Sequence, residues 1–214
     1  MAPKIVGLGG SLATRSQSRA ALVTALAGAE DAGADTELLD LQKLDLPMYD
    51  PEAERLTEST ERMIEALQRA DGLLWSSPLY QGSISGSFKN ALDWLHLPSG
   101  QESVYLTDKV IGLISVAGGT QGLQAINTME FCVRALRAWA VPLVVPVLQA
   151  ARVFDDHGRP TDEAVARQLK MLGSEVVRVA EHFATEESPN HEEVCARAAE
   201  RLAAAGVSAS KRSA

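Results

Sequence analysis

Short apolar runs alternate with segments of helical periodicity along the first 183 residues of the chain. The runs have the length of strands in a covered sheet, and we place five of them at 5–8, 36–39, 72–75, 110–116 and 141–147. Between and after them, apolar residues recur three and four positions apart, which indicates helices. The first predicted helix closes near residue 33, and the others cover 57–70, 88–95, 123–139 and 165–183.

The alternation of strands and helices predicts an α/β fold with a parallel sheet and helices on both faces. Right-handed crossovers leave few topologies, and five strands favour the doubly wound flavodoxin-like order 2-1-3-4-5 over the six-stranded dinucleotide fold. Pro142 and Pro146 confine the fifth strand to a sheet edge, because proline cannot donate to a ladder. The pattern ends near residue 183, so we expect one domain, residues 1–183, and a partly helical or disordered tail, residues 184–214.

In a doubly wound sheet the ligand lies beyond the carboxyl ends of the strands, where the strand order reverses. The loops after strands one, three and four are therefore the candidate sites of chemistry. The connection after strand two, residues 41–51, is predicted to be a loop, and it is a further candidate for binding because it is long for its position.

The loop after the first strand, residues 9–19, has the composition of an anion site. It contains two glycines, four hydroxyl side chains and two arginines, and it leads directly into a helix N-terminus. It lacks the lysine of a Walker loop, and Leu12 stands where the GxGxxG fingerprint needs its third glycine. The loop is therefore predicted to hold a terminal phosphomonoester without a metal. The alternative is a serine-rich helix cap with no ligand.

The loops after strands three and four suit a flat ligand. In residues 76–87, Pro78 fixes the chain direction, Tyr80 offers a flat face and small residues leave room, while Ile84 occupies the nucleophile position of a GxSxG elbow. In residues 117–122, three glycines expose backbone N–H groups to the edge of a ring. The alternatives are a half-buried core aromatic for Tyr80 and a flexible turn for the glycines. Together the three loops predict a flat aromatic ligand with a phosphate tail.

The charge limits the classes of binding partner, and the cysteine content limits the cellular compartment. The chain has 20 Lys and Arg against 28 Asp and Glu, a net charge of −8, which argues against nucleic acid and anionic membranes and favours small molecules. Cys132 and Cys195 are too few and too far apart for a disulfide framework, so the expected compartment is the cytoplasm. No apolar run approaches the ~18 residues of a membrane span.

The residues of the three loops and of the segment 89–95 resemble those of the NAD(P)H-dependent FMN reductase family of flavodoxin-like proteins. The resemblance covers about residues 4–183, and its most specific part is the block from Ser-Pro-x-Tyr to Lys-Asn-Ala-Leu-Asp-Trp-Leu. It is carried by the segments Gly10-Ser11, Ser16, Ser18, Pro78-Leu79-Tyr80, Ser85-Gly86, Lys89 to Leu95 and Gly118-Gly119-Thr120. The spacing of the three serines is most similar to that in the alkanesulfonate-associated branch.

The resemblance implies FMN as cofactor and NAD(P)H as the hydride donor. It implies nine FMN-binding residues in three groups: Ser11, Ser16 and Ser18 at the phosphate, Pro78, Leu79 and Tyr80 along the ribityl chain and ring, and Gly118, Gly119 and Thr120 at the ring edge. The protein then supplies binding and orientation, so no acid, base or covalent nucleophile is required. The four histidines are accordingly expected in surface or structural roles: His96, His157, His182 and His191.

Two departures from the family pattern bear on the function. Many relatives that act on quinones, azo dyes or metal oxyanions have Pro-Glu-Tyr, whereas this chain has Leu79 at the central position. Relatives with an early arginine in the phosphate loop place it two or three residues after the serine, whereas Arg15 comes four after Ser11. The resemblance therefore assigns Arg15 no role.

The leading hypothesis is an NAD(P)H:FMN oxidoreductase, with a flavin-dependent monooxygenase as a candidate recipient of the reduced flavin. The alternatives are a flavodoxin-type electron carrier, a quinone or azo reductase on the same scaffold, and a nucleotide-binding module without flavin. The carrier normally has a phosphate loop closed by Gly-x-Thr, which this chain lacks. We also expect a homodimer or homotetramer, from the family and from Trp94 and Trp139, which the sequence predicts to be exposed.

Overall fold

Five parallel strands form one sheet in the computed structural model, and the strand order is β2-β1-β3-β4-β5. Every neighbouring pair is parallel. The strands are β1 (Lys4–Gly9), β2 (Asp35–Asp40), β3 (Gly72–Pro78), β4 (Val110–Val116) and β5 (Trp139–Val147). This confirms the predicted flavodoxin-like order.

Helices connect the strands on both sides of the sheet. They are α1 (Gln17–Asp31), α2 (Leu41–Leu44), α3 (Glu58–Arg69), α4 (Gly86–Asp93), α5 (Leu123–Ala135) and α6 (Glu163–Phe183), with a 3-10 turn at Ala150–Arg152. The structure describes residues 2–53, 55–96, 105–183, 196–197 and 200–201. Among these residues, no helix combines the length and the apolar composition that a membrane span requires.

The chain divides into two compact units, Met1–His182 and Phe183–Ala214. The first unit contains all five strands. In the second, residues 183, 196–197 and 200–201 are described and are helical. The rest of the predicted tail, including Cys195 and His191, lies outside the described residues.

The sheet is sandwiched between two apolar clusters. All seven residues of β3 and all seven of β4 are buried, as expected for central strands covered on both faces. On one face Trp75 packs edge-to-face on Phe88 of α4, with ring centroids 5.7 Å apart, among residues of α3 and α5. On the other face, α1 and α6 pack against the sheet through residues such as Leu22 and Leu172.

The fifth strand lies at the edge of the sheet, as its two prolines predict. Its pairing with β4 shifts register between Ile111 and Leu113. Pro142 lies in the stretch of β5 that is skipped by this shift, between the partners Ala140 and Val144. Because proline has no N–H for the ladder, an irregularity at this point is the expected result.

Three predicted boundaries are wrong. The loop predicted to start at residue 76 starts later, because Ser76–Pro78 continue β3 and pair with β4. The predicted helix over 123–139 ends at Ala135, because Arg137 adopts a left-handed backbone conformation (φ 62°) and the chain reverses before β5 starts. The stretch predicted as loop over 41–51 begins instead with α2, because the Asp40 carboxylate accepts the backbone N–H of Gln42 and caps a helical turn.

Helices α1 and α6 touch backbone to backbone. A Cβ atom added at Gly28 would lie 2.2 Å from the carbonyl oxygen of Lys170, and one added at Gly173 would lie 2.0 Å from that of Ala25. The Ser174 hydroxyl donates a hydrogen bond of 3.0 Å to the Gly28 carbonyl at the same contact. This contact fixes the helix that carries the candidate phosphate loop at its N-terminus.

Replacement of Gly28 by alanine is expected to destabilise the fold. The added methyl group collides with the backbone of α6, and overpacking of this kind costs about 2 kcal/mol even after the helix-propensity gain of about 1 kcal/mol. Urea unfolding followed by circular dichroism measures the loss. The control is Gly86→Ala at the start of α4, where an added Cβ meets nothing within 4 Å; equal midpoints for the two variants would contradict the close helix contact.

Candidate functional site

The carboxyl ends of β1, β3 and β4 lie side by side where the strand order reverses. Gly9 pairs with Ser76, and Pro78 pairs with Val116. The three loops singled out in the sequence therefore leave the sheet at one edge, where doubly wound folds bind their ligands.

The first loop places its three serine hydroxyls in a chain. The Ser16 hydroxyl oxygen lies 3.0 Å from the Ser11 hydroxyl and 3.0 Å from the Ser18 hydroxyl. Ser16 is also the N-cap of α1, since its hydroxyl accepts the backbone N–H of Arg19 at 3.2 Å. The cap and the predicted cradle are therefore the same group of atoms. We call Ser11, Ser16 and Ser18 the serine cradle.

More hydrogen-bond donors reach the Ser16 hydroxyl than its oxygen can accept. Three donors converge on the Ser16 oxygen: the backbone N–H of Ser11 at 3.0 Å, the Ser11 hydroxyl at 3.0 Å and the backbone N–H of Arg19 at 3.2 Å. A hydroxyl oxygen has two lone pairs, so it cannot satisfy all three fully. An anion with several oxygens would satisfy them, and the first turn of α1 carries no acidic residue to oppose it.

Backbone contact with β3 sets the start of this loop. A Cβ atom at Gly9 would lie 2.2 Å from the Ser76 carbonyl oxygen, and that same oxygen accepts the N–H of Gly10 at 3.2 Å. Gly10 has a positive φ of 98°, which glycine adopts without strain. The Ser76 hydroxyl in turn donates to the Ser18 carbonyl at 2.8 Å. The serine cradle is thus fastened directly to the switch point of the sheet.

Both arginines of the loop donate hydrogen bonds to carboxylates of other segments, and the sequence predicts neither pair. The Arg19 guanidinium donates to Asp40 at 2.8 Å, and Asp40 is 4% exposed at the end of β2. The Arg15 guanidinium donates to Asp156 at 2.8 Å on the surface. No local pattern links Asp40 to Arg19, although β2 ends at the same sheet edge as the strand before Arg19.

Asp156 belongs to a turn in the connection from β5 to α6. The neighbouring Asp155 carboxylate accepts the backbone N–H groups of Arg159 at 2.8 Å and His157 at 2.9 Å. These bonds, that from Arg159 first, lower the pKa of Asp155. Arg15, Asp156 and His157 are among the residues that line a cavity of about 380 Å³ beside the phosphate loop.

The loop after β3 presents Tyr80 on a tight turn. The backbone of Tyr80 exchanges hydrogen bonds with Ser83 at 2.9 and 3.0 Å, and both central residues, Gln81 and Gly82, have positive φ, as in a type I′ turn. The N–H of Leu79 donates to Val116 at 2.8 Å and ties the turn to β4. Tyr80 is 53% exposed, so the alternative that it belongs to the core is wrong.

The glycine turn after β4 is open. A Cβ atom at Gly118 or Gly119 would meet nothing within 4 Å, and neither glycine has a left-handed backbone conformation. Nothing in the described fold therefore requires glycine at these positions, whereas a ligand that approaches the backbone closely would. Gly118, Gly119 and Thr120 line a cavity of about 280 Å³ together with Leu79, Ala117 and Gln121. The fold thus brings Leu79 of the second predicted group beside all three residues of the third, whereas Pro78 and Tyr80 do not line this cavity.

The block from Lys89 to Leu95 holds the loop that follows α2. The Asn90 amide accepts the backbone N–H of Tyr49 at 2.7 Å and donates to the Pro47 carbonyl at 2.8 Å. The Trp94 indole donates to the same carbonyl at 2.9 Å, and its ring packs edge-to-face against Tyr49 at 5.2 Å. Trp94 is 5% exposed, so its predicted exposure is wrong; the hydrogen bond and ring contact account for its burial.

The described residues contain no group of three or more His, Cys, Asp and Glu side chains that could hold a metal ion. Cys132 is half-buried, and burial raises the pKa of its thiol, which makes the reactive thiolate scarcer. The nearby charges of Lys89 and Asp93 act in opposite directions on that pKa.

A cradle rich in donors and an open glycine turn at one sheet edge match the family that the sequence resembles. The family model described as NADPH-dependent FMN reductase matches residues 3–152. The chain belongs to this family. The alkanesulfonate-associated branch remains a prediction.

Two curated relatives show the range of the family. The chain is 32% identical over 158 residues to the NADPH-dependent FMN reductase ArsH of Rhizobium meliloti (strain 1021), a match that covers 73% of this chain and 64% of that protein. The chain thus spans just under two thirds of the rhizobial protein. It is 31% identical over 156 residues to the NADPH azoreductase of Bacillus sp. (strain OY1-2), covering 70% of this chain and 84% of that protein.

A solved structure supports the fold. The chain is similar to RosB with bound 8-demethyl-8-formylriboflavin-5'-phosphate, with a TM-score of 0.74 at 17% identity, over 94% of this chain and 87% of that one. At this level of identity the likeness concerns the fold alone.

Replacement of Asn90 by alanine is expected to lower the free energy of unfolding by about 1 kcal/mol. The variant removes two hydrogen bonds and leaves the Tyr49 N–H without its partner, which costs about 1 kcal/mol, whereas the Pro47 carbonyl keeps the Trp94 indole as a donor. Thermal and urea unfolding measure the loss. Asn90→Asp keeps the acceptor for Tyr49 and loses the donor to Pro47. Its stability is expected to lie between those of the wild type and Asn90→Ala. A wild-type midpoint for Asn90→Ala would contradict the assigned role.

Proposed function

We propose that the protein is an NAD(P)H-dependent FMN reductase, which transfers a hydride from a nicotinamide cofactor to FMN. The observation that carries this proposal is the convergence of three hydrogen-bond donors on the Ser16 hydroxyl. When bound, FMN supplies the ring system that accepts the hydride, so the chain needs no nucleophile or metal of its own. The nicotinamide is oxidised and the flavin is reduced.

In this proposal the serine cradle holds the phosphate of FMN. Ser11, Ser16 and Ser18 provide hydroxyl groups, and the N-terminus of α1 provides free N–H groups and a partial positive charge. No divalent cation is needed at this site, because the hydroxyl and N–H donors themselves satisfy the phosphate oxygens.

The other two groups hold the sugar chain and the ring. Pro78, Leu79 and Tyr80 run along the ribityl chain and the ring, and the exposed Tyr80 offers its flat face. Gly118, Gly119 and Thr120 approach the ring edge, where the absence of side chains at the two glycines leaves backbone N–H groups accessible. The role of these residues is to bind and orient two flat reactants in contact, which is the main contribution a protein makes to hydride transfer.

A second candidate is an azo or quinone reductase on the same scaffold. The Bacillus relative is named an NADPH azoreductase, and its match covers 70% of this chain. Leu79 replaces the glutamate that many such relatives have at this position, which favours flavin as the final acceptor. The two candidates share the FMN site and differ in the compound that takes the electrons from it.

The assembly and the setting of the enzyme are also proposals. We infer a homodimer or homotetramer, since Phe131 of α5 is 71% exposed and Trp139 of β5 is 56% exposed. Large exposed aromatic side chains are typical of surfaces that meet another protein. We infer a cytoplasmic setting from the two cysteines. A flavin-dependent monooxygenase is the proposed recipient of reduced FMN.

Steady-state kinetics of the purified full chain test the function. Oxidation of NADPH and NADH is followed by absorbance with FMN, FAD, riboflavin and a quinone as acceptors. We expect turnover with FMN to exceed turnover with the other three. Absence of nicotinamide oxidation with every acceptor would refute the proposal. A preference for the quinone would favour the second candidate, and FMN retained through dialysis without nicotinamide oxidation would indicate an electron carrier.

The substitution Gly119→Val is expected to weaken FMN binding without loss of stability. The added side chain projects into open space beside the cavity and occupies the place proposed for the ring edge. We expect the Kd for FMN to rise by at least about tenfold, roughly 1.4 kcal/mol, while the melting temperature of the free protein stays unchanged. The control is Gly86→Val, since Gly86 also faces open space. Unchanged FMN affinity in Gly119→Val would contradict the placement of the ring.

A further inference from the structure

The two arginines beside the serine cradle are paired in different surroundings. The Arg19 guanidinium donates to Asp40, whose side chain is 4% exposed and which also caps α2. The Arg15 guanidinium donates to Asp156, and the two side chains are 78% and 82% exposed. Each cation near the cradle is therefore already matched by an anion in the free protein.

The two pairs differ in how easily a ligand can break them. Removing Arg19 from Asp40 would leave a buried carboxylate without its counter-ion, which is strongly unfavourable. The Arg15–Asp156 pair lies in water, where ion pairs contribute little because water solvates the separated charges well. An incoming phosphate can therefore recruit Arg15 and leave Arg19 in place.

Arg15 directly precedes Ser16, the residue on which the donors of the cradle converge. A guanidinium forms charge-assisted, often bidentate hydrogen bonds with phosphate oxygens, which are stronger than those from hydroxyl or amide donors. A phosphate bound in the serine cradle would thus compete with Asp156 for the Arg15 guanidinium.

The fold keeps Asp156 beside the cradle. Its turn is closed by hydrogen bonds from the backbone N–H groups of His157 and Arg159 to the Asp155 carboxylate. The turn also packs on α1, since a Cβ atom added at Gly158 would lie 3.3 Å from the Cβ of Ala20. Asp156 is therefore presented to the phosphate loop by an ordered segment.

We propose that Asp156 determines how strongly the site distinguishes FMN from riboflavin, because its carboxylate competes with the flavin phosphate for the Arg15 guanidinium. This inference rests on the proposed function, in which the serine cradle holds the phosphate of FMN. Asp156 weakens the affinity for the phosphorylated flavin in two ways: it occupies Arg15, and its own negative charge repels the phosphate. Riboflavin has no phosphate, so its affinity is unaffected by the pair.

The test compares the binding of two flavins to variants of the full chain in which one carboxylate is replaced by an amide. Flavin fluorescence titrations give the Kd for FMN and for riboflavin with wild type, Asp156→Asn and the control Glu163→Gln. The control removes one negative charge from the first turn of α6. We expect Asp156→Asn to lower the Kd for FMN about fivefold, the factor that corresponds to roughly 1 kcal/mol, and to leave the Kd for riboflavin within twofold; Glu163→Gln changes neither.

A double-mutant cycle shows whether the effect passes through Arg15. Arg15→Gln is expected to raise the Kd for FMN roughly tenfold and to leave riboflavin unchanged. In the Arg15→Gln background, Asp156→Asn keeps only the smaller effect that comes from loss of the Asp156 negative charge, because no guanidinium is left to release. A second readout uses inorganic phosphate alone: it raises the melting temperature of Asp156→Asn more than that of wild type.

The inference is overturned if Asp156→Asn weakens FMN binding, if it changes both flavins equally, or if its full effect persists without Arg15. Asp156→Ser repeats the titration if Asp156→Asn does not fold, as judged by circular dichroism. A wild-type protein that binds neither flavin refutes the proposed function instead. A wild type that binds FMN with no selective effect of Asp156 refutes this inference alone.

Discussion

The site depends on the close contact of two backbones at the carboxyl ends of β1 and β3. Gly9 leaves no space for a side chain, since a Cβ atom would lie 2.2 Å from the Ser76 carbonyl oxygen. The same carbonyl accepts the N–H of Gly10, and the Ser76 hydroxyl donates to Ser18 in the first turn of α1. One residue of β3 thus positions both the start of the phosphate loop and the helix that ends it. A bulkier residue at position 9 would separate the strands where the loop begins.

Two features of the site exceed what the folded chain requires. Three donors converge on the Ser16 hydroxyl, and Gly118 and Gly119 face open space in a conformation that other residues adopt. Local rules of hydrogen bonding and residue choice are met elsewhere in most folds, and departures from them concentrate where a ligand completes the structure. A phosphate at the first feature and a ring edge at the second would account for both.

The residues around α4 that carry the family resemblance support the fold. Asn90 and Trp94 bind the Pro47 carbonyl, and Asn90 also accepts the N–H of Tyr49. These bonds fasten the connection after β2 to a helix that begins beside the Tyr80 turn. The most specific block of the sequence therefore holds a neighbouring loop, while the residues proposed to touch the ligand lie in short segments of small side chains.

Local sequence patterns predicted the strands, the class of fold, the edge position of β5 and the three loops at the switch point. Each of these follows from local periodicity, from proline chemistry or from the general rules of doubly wound sheets. The partners of Arg15 and Arg19, the burial of Trp94 and the early end of α5 depend instead on how distant elements pack. Arg15 and Asp156 are 141 positions apart, and no local pattern specifies which distant carboxylate a guanidinium meets. Periodicity reports which face of an element is buried; the packing of elements far apart in the chain decides which charges and rings meet there.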